Sequence, residues 1–87
     1  MFVILSYDVD ETRVARVAKI VRKYLSPVQR SLYQGHLSEN QLYRLKNDLL
    51  SRLDPDHDRI VIYKLDSTHP LLVDTIGDGN DPFQFIL

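Results

Sequence analysis

Phe2-Val3-Ile4-Leu5-Ser6-Tyr7 is an almost unbroken apolar, β-prone run, the pattern of a central strand covered on both faces, and Asp8 closes it. From Thr12 to Leu25 the period changes. Val14, Val17, Ala18, Val21 and Leu25 recur at spacings of three and four, while Arg13, Arg16, Lys19, Arg22 and Lys23 fall on other sides. This predicts a basic amphipathic helix stopped near Ser26-Pro27, with Asp10 or Thr12 suited to the N-cap and Glu11 to the helix dipole. Val28 to Gln34 reads as a strand, and Gly35 permits a bulge or bend before His36-Leu37.

Ser38-Glu39-Asn40-Gln41 is a capping box, with Leu37 and Leu42 placed to staple it. The helix it opens buries a stripe of Leu42, Leu45, Leu49 and Leu53 and ends at Asp54-Pro55. Arg59 to Leu65 is a further strand, followed by a turn over 66–70 and a short apolar segment over 71–76. A loop over 77–82 precedes Phe83-Gln84-Phe85-Ile86-Leu87, which alternates as a strand does and is too apolar to be left in water.

The order β-α-β(β)-α-β predicts an α+β fold, the ferredoxin-like plait, with both helices on one face of an antiparallel sheet. Two strands are needed between the helices, so a bent strand must serve as both. Residues 1–87 make one domain, with 77–87 a tail that pairs with a partner protomer or another protein. The uncovered sheet face and this tail offer a dimer surface, and a chain of 87 residues gains from one, because so small a core leaves stability marginal.

Composition narrows the chemistry. With 44% apolar and 26% charged residues the chain is not a disordered tail. The absence of cysteine removes disulfides, thiolate nucleophiles and sulfur-rich metal sites. No basic segment precedes the first apolar run and no stretch approaches the roughly 20 apolar residues of a membrane span, so a cytoplasmic protein with no membrane association is expected. The net charge of −1 conceals an asymmetry: residues 1–46 hold 8 Lys+Arg against 4 Asp+Glu, and residues 47–87 hold 3 against 8. A basic first half can meet phosphates even in an acidic protein.

Read singly, the polar residues leave alternatives open. Asp8 fits an Asx-type turn as well as a metal ligand. Asp10 reads as a helix cap before it reads as an outer carboxylate. Tyr7 points to the face opposite Asp8 and suits packing. Arg13, Arg16, Lys19 and Lys23 are candidate phosphate contacts or an ordinary solvated helix face. Ser31 and Tyr33 can face a cleft and bind phosphate, or pack within the sheet, and Arg30 should alternate away from them. His36, His57 and His69 have no metal-ligand spacing and read as loop residues.

Taken together, several of these segments carry a likeness. Ser6-Tyr7-Asp8 at the end of an apolar first strand, Val28-Gln29, Ser31-Leu32-Tyr33 with Gly35 and Leu37, Ile60-Val61-Ile62-Tyr63-Lys64-Leu65, and Ile76-Gly77 resemble, in order and spacing, the small CRISPR-associated endonuclease that partners the CRISPR integrase in spacer acquisition. The resemblance implies a homodimer in which Asp8 of each protomer faces its twin. It also implies a metal-dependent nuclease, using Mg²⁺ or Mn²⁺ at Asp8, that acts on single-stranded RNA or double-stranded DNA in antiviral defence. Arg13, Arg16, Lys19, Ser31 and Tyr33 would then contact nucleic acid. Pro27 stands where the family often has a basic residue, and Tyr33 where many members have Phe. Cleavage should rise with pH, because a shared cation needs both acids ionised. The same resemblance implies an alternative role as a non-catalytic dimeric adaptor bridging integrase dimers on DNA. A toxin-like ribonuclease could use the same carboxylate pair, whereas the basic-Gly-aromatic run of a single-strand RNA reader is missing.

Overall fold

The computed structural model describes residues 1–66 and 69–77. Its elements follow in the order β1 (Phe2–Asp8), α1 (Val14–Arg22), β2 (Ser26–Gln29), β3 (Leu32–His36), α2 (Glu39–Leu50), β4 (Arg59–Asp66) and β5 (His69–Gly77). The strands make one antiparallel sheet in the spatial order β2-β3-β1-β4-β5. With two helices on one face, this is the predicted ferredoxin-like α+β plait, extended by β5 beside β4. Among the described residues, no helix is long and apolar enough to cross a membrane.

Alternation along β1 sets the layers. Val3, Leu5 and Tyr7 are buried, and they share one core with Ile60 and Ile62 of β4, Val17, Ala18 and Val21 of α1, and Leu42, Leu45 and Leu49 of α2. Phe2, Ile4, Ser6 and Asp8 point the other way, to a sheet face that no helix covers among the described residues.

The helix starts differ in how they are secured. At α2 the capping box forms as the sequence predicts: Gln41 N–H donates to Ser38 Oγ (3.1 Å) and Ser38 N–H donates to Gln41 Oε1 (2.8 Å). At α1 the helix is shorter than the predicted Thr12–Leu25, because residues 10–13 form a turn instead. Asp10 Oδ1 accepts from the Thr12 N–H (2.9 Å) and the Thr12 hydroxyl (2.7 Å), and the Asp10 carbonyl accepts from Arg13 and Val14. Asp10 is therefore not the N-cap expected of it: that position falls at Arg13, without a side-chain cap, and Asp10 instead closes an Asx-type turn ahead of the helix.

Between the helices the prediction needs correction. The chain does not run as one strand to a bend at Gly35. It reverses at Arg30-Ser31, where Ser31 takes φ 65, and β2 pairs back on β3 through a register shift between Pro27 and Gln29. Gly35 lies inside β3 opposite Val3, and a Cβ there would stand 3.1 Å from Leu25 Cδ2. Its glycine provides clearance under Leu25, not a turn. Strand alternation therefore does not pass through Arg30. The histidines also depart from the loop reading: His36 closes β3 with its ring edge-on to Phe2 (centroids 5.1 Å apart), and His69 begins β5. His57 does sit in a turn, with Nδ1 2.9 Å from Asp54 Oδ2. The terminal Phe83–Leu87 segment lies outside the described residues.

Candidate functional site

Asp8 ends β1 and is exposed, and its directly opposed neighbour on β4 is Arg59. Ser6, Tyr7, Asp8, Arg59 and Val61 line a shallow depression of about 160 Å³ there. Asp8 has no hydrogen bond or ion pair among the described residues. Among those residues, no three or more His, Asp or Glu side chains gather as a metal site.

The backbone at Asp8 is held on every side. Tyr7, immediately before it, inserts its ring into the core and stacks on Tyr33 with centroids 5.8 Å apart, while its N–H donates to the Ser31 carbonyl (3.1 Å). Burial first, and then Tyr33, push the Tyr7 phenol up to about 12. Beyond Asp8, the Asp10 N–H donates to Asp58 Oδ1 (3.0 Å).

Asp58 is the feature that sequence reasoning missed. It is fully buried, and besides Asp10 it accepts from the Asp54 N–H (2.9 Å), Arg13 Nε (2.6 Å) and Arg13 Nη2 (2.9 Å). The Arg13 guanidinium holds its carboxyl well below the usual carboxylate range, overcoming the burial that pushes the other way; the two backbone amides assist. A solvent-facing acid in a loop would look the same in a sequence. The usable signal was Arg13, the first cation of a basic helix, whose partner lies 45 residues away.

The sequence-predicted site residues are therefore dispersed. Arg13 is an ion-pair partner of Asp58: its Nε and Nη2 both donate to that carboxylate, and its side chain is 27% exposed. Tyr33 is corrected from cleft residue to core residue, only 3% exposed and on the helix side of the sheet, because the turn at 30–31 sets its phase. Ser31 occupies that turn and serves Tyr7 through its carbonyl. Arg16 and Lys19 do come together, with Ile20, Lys23 and Arg52, around a groove of about 360 Å³ on the helix layer. Arg52, just past α2, was not anticipated. Since Asp8 projects from the open sheet face and these cations from the opposite layer, one protomer does not bring them into one site.

A known family supplies the matching pattern. The family model for CRISPR-associated protein Cas2 matches residues 1–69. The chain belongs to the Cas2 family. The Thermotoga maritima protein named CRISPR-associated endoribonuclease Cas2 is 40% identical over 87 residues, covering 98% of this chain and 100% of that one. The Pyrococcus furiosus protein of the same name is 33% identical, with 100% of both chains covered. Among solved structures, a Cas2 crystal structure aligns with TM-score 0.70 at 33% identity over 100% of this chain and 98% of that one. Streptococcus pyogenes Cas2 aligns with TM-score 0.69 at 28% identity, covering 76% and 87%. Both Cas2 structures support the ferredoxin-like assignment.

Proposed function

We propose that the protein is a metal-dependent endonuclease of CRISPR spacer acquisition, hydrolysing phosphodiester bonds in single-stranded RNA or double-stranded DNA as a homodimer. The observation that carries this reading is Asp8, an exposed carboxylate that, among the described residues, has no partner and lies on a sheet face without a covering helix. The names of the Thermotoga and Pyrococcus relatives support the nuclease class.

The donor set fits a hard cation only when doubled. Mg²⁺ prefers six oxygen ligands and is usually held by one or two carboxylates with water and phosphate oxygens. A second copy packed by the same face would add a second Asp8. Bound there, Mg²⁺ or Mn²⁺ supplies Lewis-acid polarisation of a phosphoryl oxygen and lowers the pKa of a coordinated water. The chain's own residues do the rest. Arg59 and Ser6 line the depression that holds Asp8, so an approaching phosphate would meet both beside the carboxylate. Tyr7, packed against Tyr33, prevents the strand end from drifting. Asp8→Asn should leave fold and dimer intact and lower the cleavage rate at least about 100-fold, read with labelled RNA and duplex DNA in Mg²⁺ or Mn²⁺. Equal rates would reject this reading.

A second reading, a dimeric adaptor that joins the integrase to DNA, is favoured by the basic groove lying away from Asp8. Backbone phosphates are held by such cations without any chemistry. Removing residues 83–87 should then abolish co-purification with the integrase while Asp8→Asn leaves it unchanged. The opposite pattern would exclude the adaptor.

A further inference from the structure

We propose that Asp58 is a positioning residue for Asp8, fixing the backbone of the segment that leaves β1 and with it the place from which the Asp8 carboxylate projects. The proposal rests on the hydrolytic reading above and extends it to a residue that touches neither substrate nor cation. Asp58 lies one residue before Arg59, the cross-strand neighbour of Asp8. Its side chain reaches past that pair to the Asp10 amide, two residues beyond Asp8.

Strand pairing fixes the chain up to Asp8, and the Asp58 bond fixes it again at Asp10, so few free dihedrals remain between them. Arg13 closes the arrangement with a two-toothed contact, one donor to each carboxylate oxygen, a geometry that only a guanidinium and an ionised carboxylate provide together. The Asp54 amide satisfies a further lone pair. From outside, Gly77 at φ 97 packs so tightly that a Cβ there would stand 2.0 Å from the Asp58 carbonyl oxygen. Asp58 is thus held by its own backbone, and what it holds in turn is the β1–α1 connection.

A buried charge pair seldom adds net stability over apolar packing of equal volume, so its value lies in the geometry it selects. Here that geometry is the exit from Asp8.

The test compares full-length wild type, Asp58→Asn and Arg13→Lys, using Mn²⁺ as the probe. Amide hydrogen exchange at Asp10 reports the latch, paramagnetic broadening of the Asp8 amide resonance against Mn²⁺ concentration reports ion binding without turnover, and cleavage kinetics report function. In Asp58→Asn the Asp10 amide should exchange about 10-fold faster. Half-saturation by Mn²⁺, in broadening and in cleavage alike, should rise about 10-fold, as on loss of a residue that orients a ligand. The KM for nucleic acid should stay within about twofold. Arg13→Lys, which keeps the charge but not the fork, should move the same quantities in the same direction and stands in should Asp58→Asn fail to fold. Faster exchange at Asp10 with unchanged Mn²⁺ half-saturation would overturn the proposal and leave Asp58 a folding residue. Wild type with neither Mn²⁺-dependent broadening nor cleavage would instead reject the hydrolytic reading, and the proposal with it.

Discussion

A single buried carboxylate organises the loops around the candidate site, and its charge state has a consequence for the whole fold. Because Asp58 is held below its ordinary value in the folded chain, the folded state binds fewer protons than the unfolded one at moderately acidic pH. The stability it contributes is therefore fully present above the unfolded carboxylate value of about 3.9 and is lost as pH falls from there toward the folded value. Urea midpoints measured between pH 7 and pH 2.5 should fall steeply below about pH 4 in wild type. In Asp58→Ala the curve should be lower by about 2–4 kcal/mol at neutral pH, since two amides and a guanidinium lose their acceptor, and its acid limb should be flatter. Parallel acid limbs in the two proteins would contradict this assignment.

Elements differ in what their own residues declare. The start of the second helix was legible because it is local chemistry: Ser38 and Gln41 cap each other across three positions and the leucine stripe follows, although the helix ends at Leu50, before Leu53. The hairpin β2–β3 was not, because its reversal at Arg30-Ser31 carries no Gly, Pro or Asn, and serine adopts the left-handed backbone there. Gly35 drew the bend to itself for want of any sign that it was making room for Leu25. Asp8 was found through the family pattern, whereas Asp58 was hidden because its partners are Arg13 and Asp10, some 45 residues away. Arg13 and Tyr33 have tertiary partners, Asp58 and Tyr7, that periodicity does not reveal either. The end of β5 is equally constrained. Gly77→Ala would place its Cβ against the Asp58 carbonyl at a φ that disfavours any side chain. It should cost about 2 kcal/mol or more, visible as a lower thermal midpoint, and should speed Asp10 amide exchange as well. An unchanged midpoint would mean that β5 does not press on Asp58 in solution.

At the level of the molecule, Asp8 and the basic groove of Arg16, Lys19, Lys23 and Arg52 lie on separate layers, so the proposed hydrolysis depends on the open face. Ile4 lies near the middle of that face, half-buried and remote from the helices. Ile4→Lys would set a charge in the proposed dimer surface while leaving the helix-side core untouched. Sedimentation should then show a monomer, and cleavage should be lost although Asp8 is unchanged. A dimer that survives this substitution would place the contact elsewhere. Nucleic-acid binding through Arg16, Lys19, Lys23 and Arg52 should persist and weaken with salt in either case.

The outermost strand, β2, has four exposed residues, a register irregularity and Pro27. An incoming β-strand would find there a ladder too short and too broken to extend, so this flank resists the end-to-end polymerisation that threatens any open sheet.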